Sequence, residues 1–416
     1  MKKSLVLTLV LGMLLAFSVT AAAADTVVEF WPWWLGSFEG YLNDMIDDFE
    51  AKNPGIKIKM NNVDGNMAQA LLTAINAGEA PDVVNLNNPT AYTFYNQGAL
   101  EPVDLYLEAD ARDEYIDALW EKTMFDGTFN YTFPWYASPQ IMIYNKEVFK
   151  EAGLDPNDPP KTWEDVLEYS RKIKEKTGIY GFAIDIKPWE LVQRVGEDLF
   201  NDDLTKVTFN TQKVANRVAF YRTAFEEGLM PNNFPTYQDA RAMFESGKLA
   251  MYPVGVSMVK HIENNSPELA EKLGFGPYPT SVHGANKIHT SMMNLVVLNS
   301  SENKEAAVKW ANYLTSHGPQ IEFSKLATIV PSTKIGLESD PYFSEADSMA
   351  LKAQTLASES MRKAANLDVT AAPEGWDEMT KIMTDEFRAA IRGDKSIRDT
   401  LDYLEDRLNE IIKELN

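Results

Sequence analysis

The segment from residue 26 to residue 88 alternates between the hydrophobic pattern of a strand and that of a helix. Thr26–Trp31, Ile56–Met60 and residues 81–86 are short and rich in apolar or β-branched residues, as strands are. Between them, residues 38–49 and 67–75 space their apolar side chains three and four positions apart, which is typical of amphipathic helices. This order of elements predicts an α/β layer built on a parallel sheet.

The same alternation returns in the second half of the chain. Thr162 and Asp165 have the spacing of a capping box in front of an apolar-periodic segment. Residues 179–186 are strand-like, residues 214–227 are helix-like, and residues 376–391 begin a closing pair of helices. The second half therefore predicts another α/β unit.

The N-terminus has the pattern of a secretory signal peptide over residues 1–24. Two lysines precede an apolar run, and a small-residue site at Ala22–Ala24 follows. The alternative is a retained N-terminal anchor, but the apolar run is short for a membrane span. We therefore expect a periplasmic or secreted protein. Its mature length of about 390 residues favours two domains.

Composition excludes several classes of function. The chain has no cysteine, so it has neither a disulfide framework nor a lipid-carrying cysteine at the cleavage site. A net charge of −22 without clustered Lys and Arg argues against nucleic acid and anionic membranes. Its four histidines are scattered without zinc-site spacing. No phosphate-binding or nucleophile-elbow motif occurs, so we expect neither a cofactor nor a metal.

Residues 131–162 predict a crossing between two lobes. An aromatic run that ends in Trp135 and Tyr136 is followed by an apolar strand, a helix closed at Gly153, a proline-rich turn and a new helix cap at Thr162. Such a segment leaves one set of elements and opens another. Lobe interfaces are favoured places for ligand sites.

This segment, YTFPWY…YNKEVFKEAGLDPNDPPKTWEDVL, resembles the family 1 extracellular solute-binding proteins, the maltose-binding-protein-like sugar receptors of bacterial ABC importers. Five further segments resemble the same family in the same order: FEAKNPGIKIKM, LLTAINAGEAPDVVNL, QGALEPVDLYL, AMFESGKLAMYPVG and LVVLNSSENKEAAVKWANYLTS. The resemblance implies a type II periplasmic-binding-protein fold. Each of its two lobes would have a mainly parallel sheet flanked by helices.

The resemblance also implies how the chain is divided. Crossings are expected near residues 135–139, 289–293 and 327–332. Lobe 1 would comprise residues 25–136 and 292–330, and lobe 2 residues 137–291 and 331–416. The implied function is binding of a mono- or short oligosaccharide between the lobes, followed by hinge closure and recognition by the membrane permease. The receptor would be a monomer and not an enzyme.

Two alternatives remain open at this stage. The ligand of such a receptor could be a polyol or a glycerol phosphodiester. In the other alternative, a secreted carbohydrate-active enzyme would act through two carboxylates in a cleft, and the many acidic residues make chance pairs inevitable.

Five candidate ligand residues lie in the first α/β unit. Trp33 and Trp34 follow the first strand, where ligands of α/β sheets bind, and either indole could stack on a sugar ring; core packing of one of them is the alternative. Asn66, Asn87 and Asn88 offer amides that donate to and accept from hydroxyl groups. Helix capping is the leading alternative for Asn66, and a turn before Pro89 is the alternative for the other two.

Further candidates lie at the predicted crossing and beyond it. Trp135, Tyr136 and Ser138 stand at the crossing, although relatives often have an acidic residue near Ser138. Asp185 and Trp189 match an acidic and aromatic contact region of the family, with a surface pair between Asp185 and Lys187 as the alternative.

Three more candidates come from the resemblance in the second half of the chain. Gly255 matches a family glycine, but Ser257 stands where relatives often have a tryptophan, which argues against long oligosaccharides. Asn294 flanks the second crossing. Trp376 matches a sugar-stacking aromatic and could equally pack as an apolar staple of its helix.

Overall fold

A computed structural model describes residues 25–33, 38–63, 65–108, 110–201, 203–280, 288–338, 340–343, 348–363, 367–368 and 375–415. The predicted signal peptide and Trp34 lie outside these residues. No helix among them is both long enough and apolar enough to cross a bilayer.

The N-terminal α/β layer is built as its sequence pattern predicts. It runs β1 (Thr26–Trp31), α1 (Glu39–Lys52), β2 (Ile56–Met60), α2 (Met67–Ala77) and β3 (Val83–Asn87). Strand β1 pairs in parallel with β2 on one side and with β3 on the other. Because the three strands are parallel, their carboxyl ends meet at one edge of the sheet.

Two long strands extend this sheet, one running opposite to β1–β3 and the next running with them again. Strand β8 (Ile288–Val297) pairs antiparallel with β3, and β4 (Thr132–Asn145) pairs antiparallel with β8. Beyond Pro139, β4 instead pairs with β6 (Leu249–Gly255) and β7 (Leu273–Pro277), also antiparallel. With β5 (Tyr180–Phe182) at the far edge, the full order is β2-β1-β3-β8-β4-β6-β5. The predicted α/β class is therefore confirmed, but the sheet is mixed rather than mainly parallel, because β8 is antiparallel to both of its neighbours and β6 is antiparallel to β4.

The first predicted crossing has no loop. Residues 135–139 lie inside β4, whose first part pairs with β8 and whose second part pairs with β6 and β7. The second crossing lies in β8 and the third leads into β9 (Val330–Pro331), which also pairs with β4. The division into lobes at the residues given above stays a prediction.

The remaining elements flank these strands. The helices of the middle and C-terminal parts are α3 (Asn88–Asn96), α4 (Asp117–Trp120), α5 (Lys146–Glu151), α6 (Trp163–Thr177), α7 (Pro188–Gln193), α8 (Gln212–Glu226), α9 (Tyr237–Glu245), α10 (Ser257–Asn265), α11 (Pro267–Ala270), α12 (Lys304–Leu314), α13 (His317–Ala327), α14 (Lys334–Glu338), α15 (Met349–Lys363), α16 (Trp376–Arg392) and α17 (Ile397–Leu415). The short strands are β5 (Tyr180–Phe182) and β10 (Leu367–Asp368).

Helix α6 begins at the predicted capping box. The Thr162 hydroxyl accepts a hydrogen bond from the Asp165 amide at 3.0 Å, and the Asp165 carboxylate accepts one from the Thr162 amide at 2.8 Å. The predicted strand that follows is shorter than its pattern: only Tyr180–Phe182 pairs, and residues 183–187 leave the sheet. This departure places Asp185 at a small chamber beside the sheet.

Gln320 ties helix α13 to the segment that follows β9. The side chain is fully buried, its oxygen accepts a hydrogen bond from the Ser332 amide at 2.6 Å, and its nitrogen donates to the Ser332 hydroxyl at 2.8 Å and to the Thr315 carbonyl. Replacing Gln320 with leucine keeps the volume but leaves buried backbone groups unpaired, so we expect the free energy of unfolding to fall by about 2 kcal/mol. Urea denaturation measures this. The exposed Gln212→Leu variant, which should lose almost nothing, is the control, and equal losses in both would contradict the argument.

Candidate ligand-binding cleft

A cleft of about 970 Å³ lies where the carboxyl ends of β1, β2 and β3 face the loops and helix starts of the second half. Eight of the thirteen predicted site residues line it: Trp33, Asn66, Asn87, Asn88, Ser138, Trp189, Gly255 and Trp376. The structure therefore brings together residues separated by more than 300 positions in sequence, as the strand-end argument requires.

Trp33 forms an open part of the N-terminal wall. It follows β1 and is 39 % exposed, an unusually large exposure for an indole. No ring–ring contact involving Trp33 occurs among the described residues. Its exposed ring lines the cleft.

Two asparagines on the same wall act as helix caps. The Asn66 side-chain oxygen accepts a hydrogen bond from the Gln69 amide at 3.2 Å, and that of Asn87 accepts one from the Thr90 amide at 2.9 Å. The capping alternative for Asn66 is therefore what the structure has, although both residues also line the cleft. With their oxygens engaged, their amide nitrogens remain as donors for a ligand.

Asn294 supports the cleft from behind and does not line it. It is fully buried, and its side-chain nitrogen donates to the Asn88 side-chain oxygen at 3.0 Å. Its backbone carbonyl accepts a hydrogen bond from Asn85 at 2.9 Å. The predicted ligand contact is thus corrected to a role in positioning Asn88, because β8 is covered by neighbours on both sides at this point.

Two indoles form an aromatic corner on the opposite wall. The rings of Trp189, at the start of α7, and Trp376, at the start of α16, lie 5.8 Å apart at an interplanar angle of 46°. Phe200 contacts Trp376 at 6.2 Å. Both indoles are half-buried: they pack against the hydrophobic core and also line the cleft.

Gly255 gives Ser138 room at the cleft floor. A Cβ atom at Gly255 would lie 3.1 Å from the Ser138 hydroxyl oxygen. Such a contact is tighter than usual and would displace the hydroxyl. A glycine at this strand end therefore leaves the serine free to meet a ligand.

Trp135 and Tyr136 are placed in the core and not in the cleft. The structure has a register irregularity between Pro134 and Tyr136 that interrupts the alternation of side chains along β4. As a result both rings contact Phe323, Trp135 stacked at 5.1 Å and Tyr136 edge-on at 5.3 Å. Burial raises the pKa of the Tyr136 hydroxyl. The prediction that these two aromatic residues line the ligand site is corrected accordingly.

Asp185 lines a second, smaller chamber of about 100 Å³. Four residues line both this chamber and the cleft: Gln140, Lys187, Tyr237 and Gly255. Burial raises the pKa of the Asp185 carboxyl, an effect that the charge of Lys187 opposes and that of Glu190 reinforces. Because the nitrogen of Lys187 lies 3.5 Å from the Glu190 carboxylate, the predicted surface pair between Asp185 and Lys187 is not the geometry found.

The cleft is nearly free of charged groups. Lys187 and Glu378 are the only charged side chains among the described residues that line it. No cluster of metal-binding side chains occurs in the described parts of the chain.

Several lining residues escaped the sequence analysis. One set is a face of α3 with helical spacing: Thr90, Thr93, Phe94 and Gln97. That spacing after Asn87 was a usable signal, since a helix that starts at a strand end presents one face to the site. Gln140 and Tyr237 gave no comparable signal.

The family model for bacterial extracellular solute-binding proteins matches residues 36–321. The chain belongs to this family. The family resemblance seen in the sequence is thereby confirmed. A relative of this solute-binding protein in Brucella abortus (strain 2308), described only as a binding protein, is 26 % identical over 366 residues, which cover 85 % of each chain. The sn-glycerol-3-phosphate-binding periplasmic protein of Shigella flexneri is 32 % identical over 183 residues, 40 % of each chain.

The two-lobe fold of this solute-binding protein has close counterparts among solved structures. The cyclic α-maltosyl-1,6-maltose binding protein of Arthrobacter globiformis superposes with a TM-score of 0.82. The match covers 94 % of this chain and 100 % of that one at 20 % identity. At this identity the likeness establishes the fold alone.

The ionised Asp185 carboxylate is expected to lower the unfolding free energy of the ligand-free protein. The pKa of Asp185 is raised in the folded state, so the folded protein binds this proton more tightly than the unfolded chain does. At neutral pH the ionised carboxylate therefore lowers the stability of the folded state. This loss of stability disappears as pH falls through the folded pKa. Asp185→Asn should therefore raise the unfolding free energy at pH 7. The gain should be small, since Asp185 is only half-buried and solvent screens its charge. Urea denaturation between pH 4 and pH 8 tests this, and a gain that did not shrink at low pH would contradict it.

Proposed function

We propose that this solute-binding protein is the receptor of an ABC importer for an uncharged carbohydrate, a mono- or short oligosaccharide, held in the cleft. The observation that carries the proposal is the chemistry of the cleft: indoles on both walls, amides and hydroxyls between them, and one cation and one anion among the described lining residues. Indole faces pack on the apolar faces of sugar rings, and amides pair with their hydroxyl groups. The Arthrobacter protein of the same fold is named for binding an oligosaccharide, which supports the same class of ligand here.

Ligand binding would close the cleft by a hinge motion. Trp33 and Trp376 come from opposite walls, so a ligand that touches both has more contacts in a closed arrangement than in an open one. The equilibrium then shifts toward the closed form by that difference in interaction free energy. The closed form would be the one that the membrane permease recognises. The lobe boundaries predicted from the sequence, 25–136 plus 292–330 and 137–291 plus 331–416, belong to this proposal.

A glycerol phosphate or phosphodiester is the second candidate ligand. The 32 % identity to the Shigella glycerol-3-phosphate-binding protein favours it over 40 % of the chain. Against it stands the charge of the cleft, where Lys187 is the one cation among the described lining residues and already lies 3.5 Å from Glu190. Phosphate groups are usually held by several cationic or backbone donors.

A thermal-shift screen decides between these ligands. The panel comprises glucose, galactose, mannose, xylose, maltose, maltotriose, cellobiose, sorbitol, glycerol 3-phosphate and a glycerophosphodiester. A ligand present at one hundred times its Kd should stabilise the folded state by about 2.7 kcal/mol. We expect a shift with a neutral sugar. A shift with the phosphate compounds alone would reject the carbohydrate proposal.

Turnover is not part of the proposed function. A glycosidase needs two carboxyl groups across the scissile bond, and the described residues place Glu378 in the cleft and Asp185 in the adjoining chamber. The proposal of binding without turnover rests on the family of solute-binding proteins to which the chain belongs. Release of product from a labelled oligosaccharide would reject this. We also propose export by the predicted signal peptide to a periplasmic or extracellular space, without lipid attachment because the chain has no cysteine, and a monomeric state.

A further inference from the structure

Arg194 fixes the orientation of Gln140 between the cleft and the small chamber. The side chain of Arg194 is buried, and one terminal nitrogen donates to the Gln140 side-chain oxygen at 2.7 Å. The same nitrogen donates to the Glu190 carboxylate at 2.6 Å, and the guanidinium lies 4.0 Å from the centre of the Tyr278 ring. Arg194 is thus held on two sides before it meets Gln140.

This contact determines which end of the Gln140 amide faces the ligand. Arginine has donors and no acceptor, so the oxygen of Gln140 must face Arg194. The amide nitrogen must then point away from it. No described residue accepts a hydrogen bond from that nitrogen, although Gln140 is half-buried and lines both cavities. A donor at the cleft floor is therefore left without a partner among the described residues.

Asp185 offers the complementary group inside the chamber. None of the hydrogen bonds formed by the described residues uses its carboxylate, which is an acceptor when ionised. A chamber of about 100 Å³ has room for a few water molecules or for one small substituent of a larger ligand. A group that satisfies both Gln140 and Asp185 must accept one hydrogen bond and donate another, which a hydroxyl group does.

We propose that Gln140 is a ligand-binding residue locked as a donor by the buried Arg194–Glu190 pair, and that Gln140 and Asp185 together select a hydroxyl-bearing substituent of the ligand. Arg194 is a positioning residue in this arrangement. The proposal deepens the carbohydrate function and rests on it. It also disfavours an anionic substituent at this place, because Arg194 is committed to Gln140 and Glu190, and the Asp185 carboxylate would repel the anion.

The test uses the panel sugar with the largest thermal shift and its monodeoxy derivatives. In the wild-type protein, removing one particular hydroxyl should weaken binding about 10-fold or more in calorimetry, because a buried donor and acceptor lose their partner. In Gln140→Glu, the carboxylate keeps Arg194 bonded but removes the donor. Affinity for the parent sugar should fall about 10-fold. The penalty for removing that same hydroxyl should then be smaller than in the wild type, because only its bond to Asp185 is left to lose, a result that a structural role of Gln140 would not produce.

Two further variants test whether the effect comes from the positioning of Gln140 by Arg194, from the added negative charge, or from a folding defect. Gln97→Glu adds the same negative charge to another wall of the cleft and should cost affinity less than Gln140→Glu does. Arg194→Met combined with Glu190→Met removes the clamp without leaving a lone buried charge, so the protein should fold and bind the sugar more weakly than wild type.

The outcomes distinguish the inference from the function on which it rests. Equal deoxy penalties in wild type and Gln140→Glu, or unchanged affinity in the Arg194→Met/Glu190→Met variant, would overturn the inference and leave carbohydrate binding standing. Absence of any thermal shift with the sugars would reject both.

Discussion

Replacing Trp33 with alanine is expected to weaken binding of the cleft's ligand about 10- to 100-fold, or about 1.4–2.7 kcal/mol, with almost no change in the unfolding free energy. The indole is 39 % exposed and lines the cleft, so truncation removes a stacking surface for the ligand and little core packing. Calorimetric titration of the screened sugar gives the affinity, and urea denaturation gives the stability.

Phe129 provides a matched control for this experiment. It is 37 % exposed, close to the value for Trp33, but it does not line the cleft. Phe129→Ala should therefore leave affinity unchanged. Equal affinities for wild type and Trp33→Ala would remove Trp33 from the ligand site, whereas a large loss of stability would mean that the indole packs more than its exposure implies.

Replacing Gly181 with alanine is expected to lower the unfolding free energy by about 3 kcal/mol, the high end of the usual cost of overpacking. A Cβ atom at this position of β5 would lie 2.1 Å from the hydroxyl oxygen, 2.2 Å from the Cβ and 2.7 Å from the Cα of Ser170 on α6. Rotating the Ser170 hydroxyl removes only the first of these clashes. Strand and helix would have to move apart, and the packing of Trp163 and Phe182 between them would loosen.

Gly318→Ala is the control for Gly181→Ala. Its added Cβ atom would meet no heavy atom within 4 Å, and the residue lies in the first turn of α13. Alanine has a higher helix propensity than glycine, so the unfolding free energy should stay the same or rise by up to about 1 kcal/mol. Urea denaturation of both variants at pH 7 measures the difference. Similar stabilities would mean that the helix α6 and strand β5 can separate at little cost.

The sequence pattern predicted the N-terminal layer well because its elements depend on local spacing. Helix α2 includes the predicted residues 67–75 and ends before Gly78, whose φ is 72°, and the capping box at Thr162 and Asp165 forms as its spacing indicates. Local sequence patterns could not predict the directions in which β4 and β8 run in the sheet. Their partners lie up to about two hundred residues away, and Pro134 and Pro139 interrupt the strand pattern of β4.

Site residues at the ends of predicted strands could be predicted from the sequence. Whether an aromatic side chain is exposed in the cleft or buried in the core could not. Trp33, just after β1, and Trp135, inside β4, both have an aromatic neighbour in sequence, yet Trp33 is 39 % exposed and Trp135 is 3 % exposed. Trp135 lies inside β4 at a register irregularity between Pro134 and Tyr136, and no residue type signals that irregularity. Gln140 is similar, since its orientation depends on Arg194, 54 positions away.

Strand β4 pairs with β8 in its first part and with β6 and β7 in its second part, and this limits where the chain can be cut into separately expressed fragments. A fragment that ends before residue 132 would lack both β4 and β8, and β3 would then present a bare edge of amide and carbonyl groups, which invites association between molecules. Separate expression of an N-terminal half is therefore expected to give aggregates. A circular permutant opened in the turn at residues 299–302 would retain every strand pairing and should remain dispersed in solution.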